Sequence, residues 1–206
     1  MSEDRFAEMT DILSYGLGSQ NKLADINKLL TERIKQADYS NVYKLFDELL
    51  AIAQETDIKK MAQKEERLDG LNSDLAAIRI ELLKEKELLQ AMRWTNDAYS
   101  ARLESEIEEV ANYLSEPASE GIADVITRRE TLRKRVQELA TTKSVGISFS
   151  EQIKLAELNL TSLSDRIWNV MMNLIPLLRG RLSVEHSRIM VTEIQKVIGA
   201  EPEVQG

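Results

Sequence analysis

The side chains best suited to catalysis are scarce in this chain. His186 is the only histidine and cysteine is absent, so the sequence lacks both a histidine–cysteine metal set and a thiol nucleophile. No serine lies in a nucleophile-elbow motif, and the GLG at 16–18 lacks the third glycine of a dinucleotide-binding loop. We therefore predict that the chain is not an enzyme and has no catalytic residue, no cofactor and no metal site.

One basic cluster has the composition of an anion-binding surface. It lies within RRETLRKR at 128–135 and consists of Arg128, Arg129, Arg133, Lys134 and Arg135. Arg128 and Arg135 are seven residues apart and share a helix face, which would suit an anion, a partner or an anionic lipid surface. The alternative is an ordinary exposed helix on which Glu130 and Glu138 pair with neighbouring cations.

The composition of the chain indicates long helices. Hydrophobic residues make up 43% of the 206 residues but aromatic residues only 5%, with eight glycines and three prolines. This profile is typical of coiled coils and helical bundles. The length suits one folded unit, so we expect a single elongated domain over 1–206.

Charge and cysteine content limit the partners and the compartment. A net charge of −8 argues against nucleic acid, because phosphate binding needs a basic footprint. The absence of cysteine and an acidic start, MSEDRFAEMTD, which lacks the features of a secretory signal, favour the cytoplasm. The longest apolar stretch, 167–178, contains Asn169 and Asn173 and is shorter than the roughly 20 residues of a membrane span.

A seven-residue apolar repeat dominates the middle of the chain. Over 68–113, eleven of the fourteen seam positions are apolar, which predicts a long coiled-coil helix over 60–114. The segment SEPASEG at 115–121 should end this helix and reverse the chain. The repeat restarts over 122–180, with a glycine that favours a break near 144–150. A short connection between two long helices predicts an antiparallel hairpin.

Shorter helices should flank this hairpin. We expect N-terminal helices over 10–57, the first of them capped by Thr10 or the residue after it. A C-terminal helix over 183–198 should begin at Ser183. The predicted fold is all-α: an elongated helical bundle built on a long antiparallel coiled-coil hairpin, with the shorter terminal helices packed along it.

Polar residues on the predicted seam are candidates for specificity. Asn96 and Glu106 occupy seam positions, and Tyr99 lies between them. A polar group on such a seam lowers stability but restricts the register and the partner helix. We therefore assign Asn96, Tyr99 and Glu106 as candidate register or specificity residues. Reflection of the hairpin about residue 118 places Glu106 near Arg129, so we expect these two to form an ion pair.

The segment DRIWNVMMNLIPLLRG at 165–180 combines an apolar helix face with a proline. Its apolar residues fall on one side of a helix, which indicates bundle core and not a membrane span. Pro176 lacks a backbone N–H, so we expect a kink or an end of the helix there and assign it as a candidate hinge. Trp168, like Trp94, is interpreted as a packing anchor, with a binding surface as the alternative.

Three stretches of the chain share motifs with one protein family. They are ILSYGLGSQNKLADINKLL, LLQAMRWTNDAY and SEQIKLAELNLTSLSDRIWNVMMNLIPLLRGRL. The last matches a Pro-Gln-Ile-Arg-Leu-Ile motif, with Glu151 in place of the proline, and a later Ile-Pro-Leu-Trp motif, with Leu178 in place of the tryptophan. In these stretches the chain resembles the TelA (KlaA) toxic-anion-resistance, or tellurite-resistance, family of bacterial helical proteins.

The resemblance implies a function without a known reaction. We expect a non-enzymatic cytoplasmic adaptor or scaffold of the toxic-anion-resistance type, either a shortened member of the family or one of its domains. Its partners would be other proteins, and a homo-oligomer is left open. Two alternatives remain: a peripheral membrane protein of the envelope-stress response that contacts anionic lipid weakly through the basic cluster, and a protein that binds an oxyanion directly.

Overall fold

The computed structural model describes residues 3–54, 60–116 and 123–199, and these residues are almost entirely helical. The helices are α1 (Glu3–Gln36), α2 (Ser40–Gln54), α3 (Met61–Ser115), α4 (Ala123–Asn169) and α5 (Ile175–Gly199), with a π-helical turn at Val170–Leu174. No strand occurs among the described residues. The predicted all-α class is therefore confirmed.

The first helix is longer than its sequence signals suggested. It begins at Glu3, and the Thr10 hydroxyl donates to the carbonyl oxygen of Phe6 at 2.9 Å inside the helix instead of capping it. At the start of α2, the Asp38 carboxylate accepts the backbone N–H of Ser40 at 2.9 Å. This hydrogen bond stabilises the ionised form and lowers the pKa of Asp38 below its usual value.

The returning helix also differs from the prediction. Helix α4 runs without interruption across 144–150, so the break expected there is not found. Helix α5 passes through Ser183 without a new start, so 183–198 is not a separate helix. The predicted turn at 115–121 lies largely outside the described residues. In both helices the local start and stop signals are outweighed by packing against neighbouring helices.

The helices belong to two compact units, whereas the length of the chain suggested one. Unit 1 comprises Met1–Ala37 and Glu85–Asn159, which include α1, the C-terminal part of α3 and most of α4. Unit 2 comprises Asp38–Lys84 and Leu160–Gly206, which include α2, the N-terminal part of α3 and α5. The long helices α3 and α4 each contribute to both units.

The two long helices of unit 1 are antiparallel. Three side-chain contacts join them: Glu104 with Lys143 at 2.5 Å, Asp97 with Ser150 at 2.6 Å, and Arg93 with Glu157 at 3.2 Å. The residue number falls along α3 as it rises along α4, as an antiparallel hairpin requires. The predicted hairpin is thus confirmed where the two helices share unit 1.

Helix α1 completes the core of unit 1. Arg5 contacts Glu116 at 2.6 Å and Arg33 contacts Glu85 at 2.8 Å, so α1 runs antiparallel to α3. The three helices bury one apolar cluster: Met9, Leu13, Leu23, Leu103, Val110, Tyr113, Leu132 and Leu139. Burial of this many large side chains, each contributing about 1.5–3 kcal/mol, is the main stabilising term of the unit.

Unit 2 has a comparable core of aliphatic side chains. The buried residues are Val42, Leu49, Leu68, Leu71, Leu75, Leu82, Leu160, Leu163, Ile167, Ile175, Leu178 and Leu182. Arg67 of α3 pairs with Glu48 of α2, and the Arg79 guanidinium lies 4.5 Å from the centre of the Trp168 ring. These contacts tie α2, α3 and the end of α4 together.

Two glycines mark places where the helices of unit 1 approach closely. A Cβ atom on Gly16 of α1 would lie 2.7 Å from Leu139 Cδ1 and 2.9 Å from Glu106 Oε2. A Cβ atom on Gly146 of α4 would lie 2.6 Å from Ser100 Oγ. All three distances are shorter than normal van der Waals contact. The glycine that was expected to break the returning helix instead allows it to pack tightly on its neighbour.

Gly16→Ala should lower the free energy of unfolding by about 1–2 kcal/mol, because overpacking a tight core outweighs the gain in helix propensity. Gly18→Ala is the matched control, since a Cβ atom there has nothing within 4 Å. The control should raise the free energy of unfolding by about 0.5–1 kcal/mol. Urea denaturation of both variants checks this, and equal stabilisation by the two substitutions would contradict the tight packing at Gly16.

Candidate functional site

The first candidate register residue lies in a buried polar layer. Asn96 is fully buried, and its Nδ2 donates to the carbonyl oxygen of Gly146 at 2.8 Å. One turn later the buried Ser100 hydroxyl has no hydrogen-bond partner among the described residues, and neither has Asn96 Oδ1. We call Asn96, Ser100 and Gly146 the asparagine layer. It joins α3 to α4 by a polar contact inside an otherwise apolar seam.

The second candidate, Glu106, is also buried, although its partner differs from the predicted one. Its Oε1 accepts from Arg102 Nε, four residues earlier on α3, at 3.0 Å. Its Oε2 points at Gly16 and has no hydrogen-bond partner in the described part of the chain. Tyr99, the third candidate, is half-buried and packs against the apolar core of unit 1. All three residues therefore face the interior of unit 1.

The predicted ion pair between Glu106 and Arg129 does not form. The contacts between α3 and α4 join residues that are equidistant from about residue 124, not from residue 118. This register places Glu106 beside Leu139 and Gly16, about three helical turns along α4 from the expected position. The prediction was wrong because it placed the centre of the hairpin inside the turn motif.

Arg129 instead closes the end of the neighbouring helix. Its side chain is buried, and its Nη2 donates to the carbonyl oxygens of Leu114 and Glu116, the latter at 2.8 Å. The last carbonyls of a helix have no partner within it, and a cation there also interacts favourably with the helix dipole. Arg129 is therefore a C-terminal cap for α3 supplied by α4.

The other cations of the predicted anion surface point in different directions. Arg128 lies over the Phe6 ring at 5.2 Å, and Arg135 contacts Glu138 at 2.5 Å and Gln20 at 3.1 Å. Arg133 and Lys134 are exposed and have no partner among the described residues. The structure thus divides the five-residue cluster, and two of its cations remain available on the surface.

The candidate hinge lies immediately after the π-helical turn. The Ile175 N–H donates to the carbonyl oxygen of Val170, five residues earlier, which widens the helix at this point. Pro176 has no N–H to donate and its ring would clash in a regular turn, so the wider turn accommodates it. Of the two expected outcomes, a kink or an end, the end is not found: the helix widens here and continues. The role of Pro176 as a hinge stays a prediction.

The two tryptophans have different surroundings. Trp168 is 43% exposed and stacks with Arg79, consistent with a partial packing role. Trp94 is 68% exposed, so its interpretation as a packing anchor is wrong. Leu155 and Leu158 on α4 of unit 1 are also exposed, by 61% and 60%. Sequence patterning named a binding surface as the alternative for Trp94 but did not single out Leu155 and Leu158, because position on a helix does not reveal which face is left uncovered.

The described residues contain no group of three or more His, Cys, Asp or Glu side chains that could hold a metal ion. His186 lies exposed on α5. Within the same residues, no helix combines the length and the apolar composition needed to cross a bilayer.

The polar groups that sequence analysis missed, Arg102 and Ser100, lie one helical turn from the seam residues that it selected.

Comparison with known proteins identifies no relative. No family model, no curated protein and no solved structure matches the chain. The resemblance to the tellurite-resistance family therefore rests on the three motif stretches. Two of these stretches, 88–99 and 150–182, contain the exposed side chains of Trp94, Leu155 and Leu158.

Arg129→Met should lower the free energy of unfolding by about 2 kcal/mol, because it removes charge-assisted hydrogen bonds to two part-buried carbonyls and leaves them without this donor. Arg133→Met is the matched control, since Arg133 is exposed and has no partner in the described residues. Its effect should stay within about 0.5 kcal/mol. Thermal or urea unfolding measures both, and equal losses would show that Arg129 does not cap α3.

Proposed function

We propose that the chain is a non-enzymatic cytoplasmic helical adaptor of the toxic-anion, or tellurite, resistance type, and that unit 1 binds a partner protein. The observation that supports this best is the exposure of large apolar side chains in unit 1. Trp94, Leu155 and Leu158 are each at least 60% exposed. Tryptophan is the residue most enriched among those that dominate binding energy at interfaces.

Three exposed apolar residues of α4 lie on one side of the helix. Ile147, Leu155 and Leu158 follow the eight- and three-residue spacings that return to the same side of a helix, and Ile147 is 51% exposed. An apolar helix face of this kind suits an amphipathic helix of another protein. The net charge of −8 favours a partner helix whose apolar stripe is flanked by lysine or arginine.

The resistance function is supported by the motif resemblance. The stretch LLQAMRWTNDAY contains Trp94, and the stretch that begins SEQIKLAELNL contains Leu155 and Leu158. The segments that resemble the family thus carry apolar side chains that packing inside unit 1 does not use. A binding role explains their exposure better than a structural role would, because burying them would otherwise stabilise the fold.

The two alternative functions receive less support. A peripheral membrane role needs a concentrated basic face, and only Arg133 and Lys134 of the predicted cluster are exposed without a partner among the described residues. Direct oxyanion binding needs several donors that converge on one point. Arg128, Arg129 and Arg135 instead contact Phe6, backbone carbonyls and Gln20.

The double variant Trp94→Ser/Leu155→Ser should abolish retention of the partner and lower tellurite resistance in the native cell, because it removes two exposed apolar side chains of unit 1. The measurement is affinity purification of the full chain with quantitative mass spectrometry, followed by growth of the same strains on tellurite. At least one protein should be enriched about tenfold or more over the variant, as expected for loss of an interface hot spot.

The matched control is Tyr43→Ser/Leu50→Ser, which replaces the same kind of pair in unit 2 at 54% and 55% exposure. The control should retain both the partner and the resistance. Identical protein sets from wild type and the unit 1 variant would contradict the adaptor function, and unchanged growth on tellurite would contradict the resistance function.

A further inference from the structure

The buried seam that runs from the end of α4 into α5 changes its spacing once. Leu160 and Ile167 of α4 are buried and seven residues apart, the spacing of a coiled-coil contact. Ile175 and Leu182 of α5 are buried and also seven residues apart. Ile167 and Ile175, however, are separated by eight residues. The chain therefore holds one residue more at this point than the repeat on either side of it.

The facing helix of unit 2 has no such extra residue. The buried leucines of α3 keep a regular seven-residue spacing: Leu68, Leu75 and Leu82. Two contacts join α3 to the opposite chain on either side of the change, the stacking of Arg79 on Trp168 and the ion pair of Asp69 with Arg179. Between these contacts α3 advances by ten residues, from 69 to 79, and the opposite chain by eleven, from 168 to 179. The contacts and the burial pattern thus indicate the same one-residue excess.

The extra residue coincides with the π-helical turn at Val170–Leu174. In this turn the Ile175 N–H donates to the carbonyl oxygen of Val170, five residues earlier instead of four. A π turn therefore contains one residue more than an α-helical turn. The helix can take up the excess here and still keep the apolar residues before and after the turn on the side that faces α3.

We propose that the π-helical turn is a joint that sets the rotation of α5: it takes up one extra residue and so determines which face of α5 is buried in unit 2. This inference goes beyond the adaptor function, which uses unit 1. The requirement for the turn comes from the positions of the apolar residues on α4 and α5. Pro176 favours the turn without being the reason for it.

A regular α-helix in place of the π turn would bury the wrong face of α5. Seven-residue steps from Ile167 would then lead to one leucine and two arginines: Leu174, Arg181 and Arg188. Both arginines are exposed in the structure, and their transfer to an apolar seam would carry a large desolvation cost. With the extra residue, the same steps lead to three apolar residues, the first two buried and the third half-buried: Ile175, Leu182 and Ile189. The turn thus keeps the cations of α5 in water.

Pro176 acts in the same direction as the seam, and its contribution can be separated. In a regular α-helix its missing N–H would leave the carbonyl oxygen of Met172 without a partner, and its ring would clash with that carbonyl. The proline therefore disfavours a regular turn, but it does not determine which residues of α5 are apolar. In Pro176→Ala the seam still requires the extra residue, so the same face of α5 should stay buried.

Deletion of Asn173, an exposed residue of the turn, tests the proposal in the Pro176→Ala full chain. The deletion leaves Ile167 and Ile175 seven residues apart, so the midpoint of thermal unfolding should stay within about 3 °C of the Pro176→Ala parent. Deletion of Ser73, an exposed residue of α3, is the matched control. It interrupts a regular seam, and the midpoint should fall by about 10 °C or more. Equal effects of the two deletions, whether large or small, overturn the proposal.

Thiol reactivity reports which face of α5 is buried, because the chain has no cysteine of its own. Leu182→Cys should react with a maleimide at least about tenfold more slowly than Arg181→Cys, since a buried thiol reacts only after local opening. The same order should hold in the Pro176→Ala chain and in its Asn173 deletion. A reversed order in the Pro176→Ala chain would show that the proline sets the rotation of α5, and a reversed order in the deletion would show that the seam does not; either result overturns the proposal.

Discussion

The hydrogen bond from Asn96 Nδ2 to the carbonyl oxygen of Gly146 is the interaction on which the arrangement of unit 1 depends. The leucine seams of α3 and α4 repeat every seven residues, so apolar packing alone would accept several registers of nearly equal energy. A buried amide removes this ambiguity if slipped registers leave it unpaired, at a cost of about 1–3 kcal/mol. Every residue of α4 has a carbonyl, but a slipped register brings Asn96 to a residue whose Cβ atom prevents the close approach that Gly146 allows. The other contacts between α3 and α4 form in the register that this hydrogen bond selects.

The glycines of unit 1 are part of the same constraint. The space that Gly146 leaves is occupied by the Ser100 hydroxyl, and the space that Gly16 leaves is occupied by the Glu106 carboxylate and Leu139. Ser100 and Glu106 of α3 thus each face a residue without a side chain. Polar side chains and glycines at these positions reduce the apolar surface that is buried between the helices, but they restrict the helices to one register. In this register Arg129 reaches the end of α3.

The sequence predicted the helices better than their contacts. The long helix was expected over 60–114 and is found at Met61–Ser115, because a sustained seven-residue apolar repeat indicates one continuous helix. Gly146 was misread as a helix break, because the effect of a glycine depends on a neighbouring helix that the local sequence does not specify. The partner of Arg129 was misplaced because the register depends on where the turn is centred. Exposure of Trp94 was missed because periodicity does not distinguish a covered face from an uncovered one.

The most direct test of the register is a disulfide between α3 and α4 in this cysteine-free chain. Ser100 Oγ lies 2.6 Å from where the Cβ atom of residue 146 would be, close enough for Ser100→Cys/Gly146→Cys to form an intrachain disulfide. Ser100→Cys/Ile153→Cys samples a register one heptad away. We expect only the first pair to oxidise, and both pairs to oxidise when Asn96→Leu is added. Equal oxidation of the two pairs with Asn96 intact would show that this asparagine does not set the register.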